Sequence, residues 1–480
     1  MVSHNLSHSK KLIHYLTYWF EGNLSRHVTI YIVGGSVRDY VMNRQCADID
    51  LVCKDAYTLA KKIARKHSAA LVCMEKKVDE PCYRVVNRNN TNEYLDIAEL
   101  KGETIQDDLY KRDFTINAMA IQILKDCSLG PIIDPFNGLR DIQQKIIQTL
   151  SPETFINDPL RILRVVRFSS QLNFQIDNQT LHQMTEKAHL LRQIPFERIT
   201  FELKRILVSN RSFYYMAVLD HCGILDILFP EIIPMKGCQQ NAYHHLDVWH
   251  HSLLTLKQCD HIIHFPYIFF PTVSSQLHEY LNTDERVQLL KFAALFHDIG
   301  KPNAKQIHQT SGRVIFYNHD TIGTQIMQRI VKRLKISIKQ QDFICNLVKE
   351  HLHVKQLSAH DVKKSTIMRW LRNYGDHCIS MIILGLSDIL SSHGIESQSY
   401  EKTSYIQWAR TIATQYYEKT KAVIETKNFI TGHDLMALGM IPGPEIGALI
   451  SQIRAAQDQG DIQNREQGLI LAKQLIHKFI

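Results

Sequence analysis

The stretch Tyr31–Val52, YIVGGSVRDYVMNRQCADIDLV, constrains this chain more than any other. The β-branched apolar run from Val28 to Val33 predicts a strand that breaks at Gly34-Gly35, followed by a short helix from Ser36. A second apolar run then carries Asp48 and Asp50. Residues two apart on a strand face the same way, so this reading presents the two carboxylates side by side. Paired carboxylates on a rigid strand suit a hard, oxygen-loving cation such as Mg²⁺. The Gly34-Gly35 turn lets backbone N–H groups come close to a phosphate, with a helix N-terminus behind them. Arg38, on the first turn of that helix, adds a charge-assisted contact to the same anion. A cradled phosphate beside a carboxylate-held metal is the equipment of phosphoryl or nucleotidyl transfer. The plainer alternative is a strand–turn–helix with two exposed aspartates.

The chain has 480 residues, enough for about two to four domains with cores of their own. Lys and Arg exceed Asp and Glu by 56 − 48 = 8, a basic excess that permits a polyanionic partner without requiring one. Ten cysteines are scattered with no CxxC pair, which fits a reducing compartment rather than a disulfide framework. Met1–Lys11 lacks the apolar core of a signal peptide, and no apolar run is long enough to span a bilayer. These features predict a cytoplasmic protein with no membrane partner.

Up to about Cys127 the pattern is α/β, with strands expected at Thr29–Val33, Ile49–Cys53, Leu71–Met74, Tyr83–Val86 and Tyr94–Ala98, and a helix at Asp55–Lys66. From about Phe155 the apolar spacing is helical almost throughout. Pro230–Gln240 interrupts that period, Phe265–Asp284 reads as an exposed insertion loop, and IPGPEIG after Met440 reads as a turn between helices. The expected domains are 25–150, 151–230, 240–395 and 400–480.

Three further segments follow the first in order. KRDFTINAMA (Lys111–Ala120) sets a basic pair beside an aspartate, and its apolar remainder reads as packing. DPFNGLRD (Asp134–Asp141) is a turn leading into a helix. NDPLRILRVVRF (Asn157–Phe168) is read as one helix with Asp158, Arg161 and Arg164 on one face and Leu160, Leu163 and Val166 on the other. An aspartate beside an arginine accepts and donates side by side. Cytosine and adenine each offer an amino donor next to a ring-nitrogen acceptor, and guanine and uracil reverse that order, so such a pair can select C and A together. A solvated amphipathic helix with an acid near its N-terminus accounts for the same pattern.

Taken in order, GGSVRD, DID, KRDFTINAMA, DPFNGLRD, DPLRILR and PFERI (Pro195–Ile199) resemble the motifs of the bacterial class II tRNA nucleotidyltransferases, the CCA-adding enzymes that share a polymerase-β-like head with bacterial poly(A) polymerases. The resemblance implies an α+β multidomain fold: a head with a mixed sheet plus helices, then an all-α neck and body. It implies that Asp48 and Asp50 hold catalytic Mg²⁺, that Gly34, Gly35, Arg38 and Arg112 bind the triphosphate, and that Asp158 and Arg161 read the incoming base with Arg164 close by. Glu197 and Arg198 brace the base-reading helix, and Asp96 is a candidate third carboxylate. The implied partners are tRNA, held by its acceptor stem, with CTP and ATP. Two departures stand out. Asn157 replaces a glutamate usual in the family, and only KGETIQ (Lys101–Gln106) occupies the place of a longer flexible loop associated with the switch from C to A addition. The expected activity is therefore CCA addition, or CC addition alone. Poly(A) polymerase, or a chain acting mainly as a phosphohydrolase, are the alternatives.

The phosphohydrolase alternative comes from LFHDIGKP (Leu295–Pro302), read as a helix ending at Gly300 and carrying His297 and Asp298. With His250-His251 upstream and His319, His351 and Asp388 downstream, imidazoles and carboxylates from several helices suit Mn, Ni, Co or Mg. This region resembles the HD superfamily of metal-dependent phosphohydrolases, which implies His251, His297, Asp298 and Asp388 as ligands, His319 and His351 as a second metal shell, and RNA terminal or cyclic phosphates as substrates. The tail Ile430–Ile450 resembles the C-terminal region of HD-bearing relatives.

Overall fold

β-Branched and aliphatic residues build the first sheet around Ile30 and Ile32, both fully buried; burial of each such side chain contributes about 1.5–3 kcal/mol. The computed structural model describes residues 12–20, 28–44, 49–75, 81–241, 245–359, 361–392 and 399–477. Asp48 lies outside the described residues. The chain forms two compact units, the first comprising Met1–Ile206 with Val218–Leu228, the second Leu207–Ala217 with Phe229–Ile480.

In the first unit the elements run β1 (Ile30–Val33), α1 (Gly35–Val41), β2 (Ile49–Cys53), α2 (Ala56–Lys66), β3 (Ala70–Glu75), β4 (Pro81–Val86), β5 (Tyr94–Glu99), α3 (Ile105–Tyr110), β6 (Ala120–Ile123) and β7 (Leu129–Ile133). The seven strands are ordered β3-β4-β5-β2-β1-β6-β7. β2 and β5 run parallel and the remaining pairs antiparallel, so the mixed sheet expected for the head is present. Five strands fall where apolar runs placed them. β6 and β7 were not expected, because a 3₁₀ turn at Thr115–Asn117 breaks the run before Ala120 and β7 contains Gly130 and Pro131. Proline is tolerated there because β7 is an edge strand.

Three later helices complete the parts of this unit that matter for the site: α4 (Gly138–Gln144), α5 (Arg161–Leu172) and α6 (Phe196–Leu207). The single helix expected over Asn157–Phe168 is divided. Asp158 is extended, with φ −150° and ψ 98°, because the ring of Pro159 disfavours helical backbone in the residue before it. Helix α5 starts afresh at Arg161 and buries Ile162, Leu163, Val165 and Val166.

The second unit is built from α7 (Val248–His264), α8 (Asp284–Phe296), α9 (His319–Arg333), α10 (Ile338–Leu357) and α11 (His377–Ser391). Helix α7 packs on α8 and α11, and α10 packs on α8, α9 and α11. The loop expected at Phe265–Asp284 is instead folded: Pro266–Phe269 and Ser274–Tyr280 are helical, with Phe270, Val273, Leu277 and Tyr280 buried. Its two prolines sit at first helical positions, where their missing N–H costs nothing. Toward the end, α12 (Gly432–Ala437), α13 (Pro444–Gln459) and α14 (Arg465–Ile476) enclose Ile430, Leu435, Leu449 and Ile453. Among the described residues, no helix is long and apolar enough to cross a membrane.

Candidate active site and metal cluster

A cleft of about 940 Å³ opens in the first unit where β1 ends. Gly34 turns the chain there with φ 71° and ψ −134°, a left-handed conformation that favours glycine. A Cβ on Gly34 would lie 2.8 Å from Arg112 Nη1 and 3.9 Å from Asp50 Oδ2. The same turn is thus pressed between a cation and a carboxylate. Asp50 stands on β2, and its backbone N–H donates to Ser36 Oγ at 3.0 Å, fixing the start of α1 against the strand. In register with Asp50, on β5, is Asp96. Its carboxylate accepts two bonds from Arg84, at 2.8 and 2.7 Å, so it is already engaged by a cation.

Cations line the rest of the cleft. Arg112 is held by Asp108 at 2.8 Å, and Arg38 donates to Asn117 Oδ1 at 2.8 Å and pairs with Asp39. Asp158 is gripped by Arg198 at 3.0 Å, while Arg161 donates to the carbonyls of Lys111 and Thr154. Arg164 places two N–H groups on Asp113 Oδ2. Burial disfavours the ionised Asp113, but Arg164 and a bond from Asn117 outweigh it and bring its carboxyl down to about 2. Arg167 pairs with Glu202 in a buried bridge joining α5 to α6. The DPFNGLRD segment works from behind. Asp134 accepts the N–H groups of Gly138 and Leu139, and Asp141 accepts the Thr115 hydroxyl at 2.6 Å. Its part is to fix KRDFTINAMA in place.

The second unit gathers a separate cluster. Helix α8 stops at Phe296 rather than at Gly300, and His297 and Asp298 lie in the turn that follows. His251 comes from α7, His319 from the start of α9, His351 from α10, and Asp388 from α11. All but Asp388 are buried, and its carboxylate is 15% exposed. His250, the neighbour of His251, turns outward and pairs with Asp247.

The hydrogen bonds determine what the cluster can hold. Nδ1 of His297, His319 and His351 each meets a backbone carbonyl, at 2.9, 2.7 and 2.6 Å. A carbonyl only accepts, so each Nδ1 carries its proton, which leaves each Nε2 facing inward as the atom that can bind a cation. Nε2 of His319 and His351 then face each other at 3.3 Å, so a positive charge shared between them, from a proton or a cation, suits the pair. Buried His297 Nε2 makes no hydrogen bond, although Asp298 Oδ2 lies 3.2 Å away. Two ligand groups emerge, His251–His297–Asp298 and Asp298–His319–His351, sharing Asp298. Burial pushes His251 and His351 down, favouring neutral imidazoles. Burial opposes a charge on His297 too, but Asp298 and Asp388 push it up to about 10. The carboxylates demand positive charge in the cavity. Inward-facing ring nitrogens around shared carboxylates fit divalent cations.

Close packing holds the cluster in place. A Cβ on Gly300 would fall 2.0 Å from the His319 carbonyl oxygen. Gly300→Ala is therefore expected to separate Asp298 from His319 and to cost about 3 kcal/mol or more, read as a lowered Tm together with loss of bound divalent metal.

Comparison with known proteins bears on both sites. Residues 30–148 match the model of the poly A polymerase head domain. Residues 173–236 match that of a probable RNA and SrmB-binding site of polymerase A, and residues 270–392 the HD domain. The matches thus set a poly A polymerase head domain, its RNA-binding region and an HD domain along one chain. It is 25% identical to a CC-adding tRNA nucleotidyltransferase of Thermus thermophilus over 442 residues, spanning 91% of each chain. It is 26% identical to an A-adding tRNA nucleotidyltransferase of Deinococcus radiodurans, over 90% of this chain and 92% of that one. Among solved structures it resembles the Thermotoga maritima CCA-adding enzyme complexed with tRNA, with TM-score 0.63 and 21% identity over 97% of this chain and 95% of that one.

Within this nucleotidyltransferase fold, Gly34, Gly35, Arg38, Asp50, Arg112, Asp158, Arg161 and Arg164 all line one cleft. In that cleft Arg164 is also bonded to Asp113, and Asp158 is paired with Arg198. Sequence reasoning missed Asn117, Glu202 and the part played by Asp113. A buried amide inside FTINA carries no periodic signal, and Glu202 reads as an ordinary polar residue until α6 packs on α5.

Proposed function

We propose that this chain is a template-independent tRNA nucleotidyltransferase that adds C residues to the tRNA 3′ end from CTP. In this reading the RNA 3′-hydroxyl attacks the α-phosphorus of the nucleotide and pyrophosphate leaves. Gly34 and Gly35 offer backbone to the triphosphate, and Arg38 and Arg112 neutralise it. Asp48 and Asp50 would hold Mg²⁺, which when bound neutralises charge developing on the transferred phosphoryl group. Asp158 and Arg161 would read the base edge, braced by Arg198. The observation that carries the proposal is the meeting of Asp50, the Gly34 turn and Arg112 in one cleft with the Asp158–Arg161 segment. The basic side chains of α5 and α6 suit an acceptor stem read by shape and backbone, with binding that weakens as salt rises. Cytoplasmic location follows from this substrate.

The segment between β5 and α3 favours stopping after two C residues. Thr104 and Asp107 close a capping box, Glu103 N–H donates to Asp107 at 3.1 Å, and Lys101 N–H donates to Asp108 at 3.2 Å. A turn pinned at both ends is poorly suited to the rearrangement associated with a change from C to A. The relatives named above include one that adds CC and one that adds A. Extension of a tRNA transcript lacking CCA, with labelled CTP and ATP supplied separately and together, is expected to end after two C residues. A third addition of A would establish full CCA synthesis instead.

We further propose that the HD domain hydrolyses terminal or 2′,3′-cyclic phosphates of RNA. His251, His297, Asp298 and Asp388 would hold a first divalent metal, Mn, Ni, Co or Mg, with His319 and His351 completing a second position. Lys301 Nζ, 2.6 Å from Asp298 and 2.7 Å from Gln240, would face the substrate phosphate.

A further inference from the structure

The cleft contains a continuous chain of side chains joining its phosphate end to its base end. Arg38 Nη1 donates to Asn117 Oδ1 at 2.8 Å. Asn117 Nδ2 donates to Asp113 Oδ1 at 2.9 Å. Asp113 Oδ2 accepts Arg164 Nε at 3.0 Å and Nη2 at 2.5 Å. Arg38, Asn117 and Asp113 are 8%, 6% and 6% exposed. The polarity of the bridge is chemically fixed, because arginine only donates and carboxylate only accepts, so the amide must point its oxygen to Arg38 and its nitrogen to Asp113. An aspartate at 117 could still accept from Arg38 but would set a second carboxylate against Asp113. The two ends are joined a second time through Phe168, whose ring centroid lies 5.2 Å from the Arg38 guanidinium and 5.5 Å from that of Arg164. Phe168 and Arg164 both stand on α5, the helix that opens with Arg161.

We propose that Asp113 and Asn117 are positioning residues that make base selection depend on occupation of the triphosphate site. This rests on the reading of Asp158 and Arg161 as the base-reading pair. A triphosphate arriving beside Gly35 meets the Arg38 guanidinium, whose Nη2 lies 3.5 Å from the point a Gly35 Cβ would occupy. Any movement of Arg38 toward the anion acts on Asn117, then Asp113, then Arg164 and the first turns of α5. Buried hydrogen-bonded groups have few alternative partners, so the displacement is passed on rather than absorbed by solvent. Selection between C and U is then strict for a complete nucleoside triphosphate and slack where the bridge is cut.

The test compares kcat/KM for CTP with that for UTP in single-nucleotide addition to a tRNA lacking CCA, using the full chain. Arg38→Lys keeps the phosphate-side charge but loses the bond geometry to Asn117. Asn117→Asp keeps an acceptor for Arg38 but breaks the link to Asp113. Both variants are expected to lower the CTP-to-UTP ratio by about tenfold, although neither Arg38 nor Asn117 faces the base. A uniform loss for both nucleotides, with the ratio unchanged in both variants, overturns the proposal. Thermal melting identifies a variant that fails to fold, and the conservative Arg38→Lys arm then decides alone. Arg161→Ala separates the two levels of the argument. If it leaves the ratio unchanged, the base-reading assignment fails. If it lowers the ratio while Arg38→Lys and Asn117→Asp do not, the bridge alone fails.

Discussion

Asp50→Asn is expected to reduce C addition to a tRNA lacking its 3′ CCA by at least ~10³-fold, while tRNA and CTP binding stay within a few fold of the wild type. The size follows from what a carboxylate-held cation contributes when phosphoryl charge is transferred, several kcal/mol that binding alone does not replace. The selectivity follows from position. Asp50 faces the Gly34 turn, its Oδ2 3.9 Å from the point a Gly34 Cβ would occupy. The triphosphate contacts assigned to Arg38 and Arg112 do not pass through it. Folding should be little affected, because the bond that ties this point of β2 to α1 uses the Asp50 backbone N–H and the Ser36 hydroxyl. Neighbouring Asp96 cannot simply take over, since Arg84 already occupies both of its carboxylate oxygens. Single-turnover addition of labelled CMP, with CTP affinity measured separately, checks the prediction. Residual addition above about a tenth of wild type would remove Asp50 from the metal site.

The parts of this molecule legible in the sequence are those where a local pattern and a global role coincide. Strands β1 to β5 were readable because each is a short apolar run bounded by turn residues. The Gly34 turn was readable because its backbone conformation admits little else. The histidine–aspartate cluster was readable as a set of residue types, but not as a geometry. Adjacent His250 and His251 are equivalent in sequence, and only the packing of α7 on α8 and α11 turns His251 inward. Where the reading failed, a competing effect decided the outcome. Pro159 divided the helix that apolar periodicity made continuous. The prolines at 266 and 271, within the stretch expected to be a loop, begin helical turns, and buried aromatic residues around them override the loop-like composition. Asn117 was invisible for a different reason. Its value lies in bridging Arg38 and Asp113, residues 79 positions and 4 positions away, and no one-dimensional pattern records a bond of that kind.

Asp298→Ala is expected to empty both halves of the HD cluster at once. Asp298 belongs to both ligand groups found there, whereas each histidine belongs to one. Its carboxylate also holds Lys301 at 2.6 Å, and the charges of His297 and Lys301, working against the burial penalty, keep its carboxyl well below the usual range. Removing it leaves buried cationic and imidazole groups facing one another with less negative charge to hold a cation. Bound divalent metal, measured after dialysis of the intact chain, should fall from one or two equivalents to near zero, estimated from the two ligand groups sharing this one residue. Hydrolysis of a 2′,3′-cyclic nucleotide in added Mn²⁺ or Ni²⁺ should fall by about 10²-fold or more. His319→Ala provides the contrast: it touches only the second group and should leave about half the metal in place. Unchanged metal content in Asp298→Ala would mean that the cluster is a hydrogen-bonded polar core rather than a metal centre. Such a core would need a proton between the Nε2 atoms of His319 and His351, which face each other at 3.3 Å while both Nδ1 atoms meet backbone carbonyls. A bound cation would meet the same need, with Asp298, common to both ligand groups, supplying negative charge beside it.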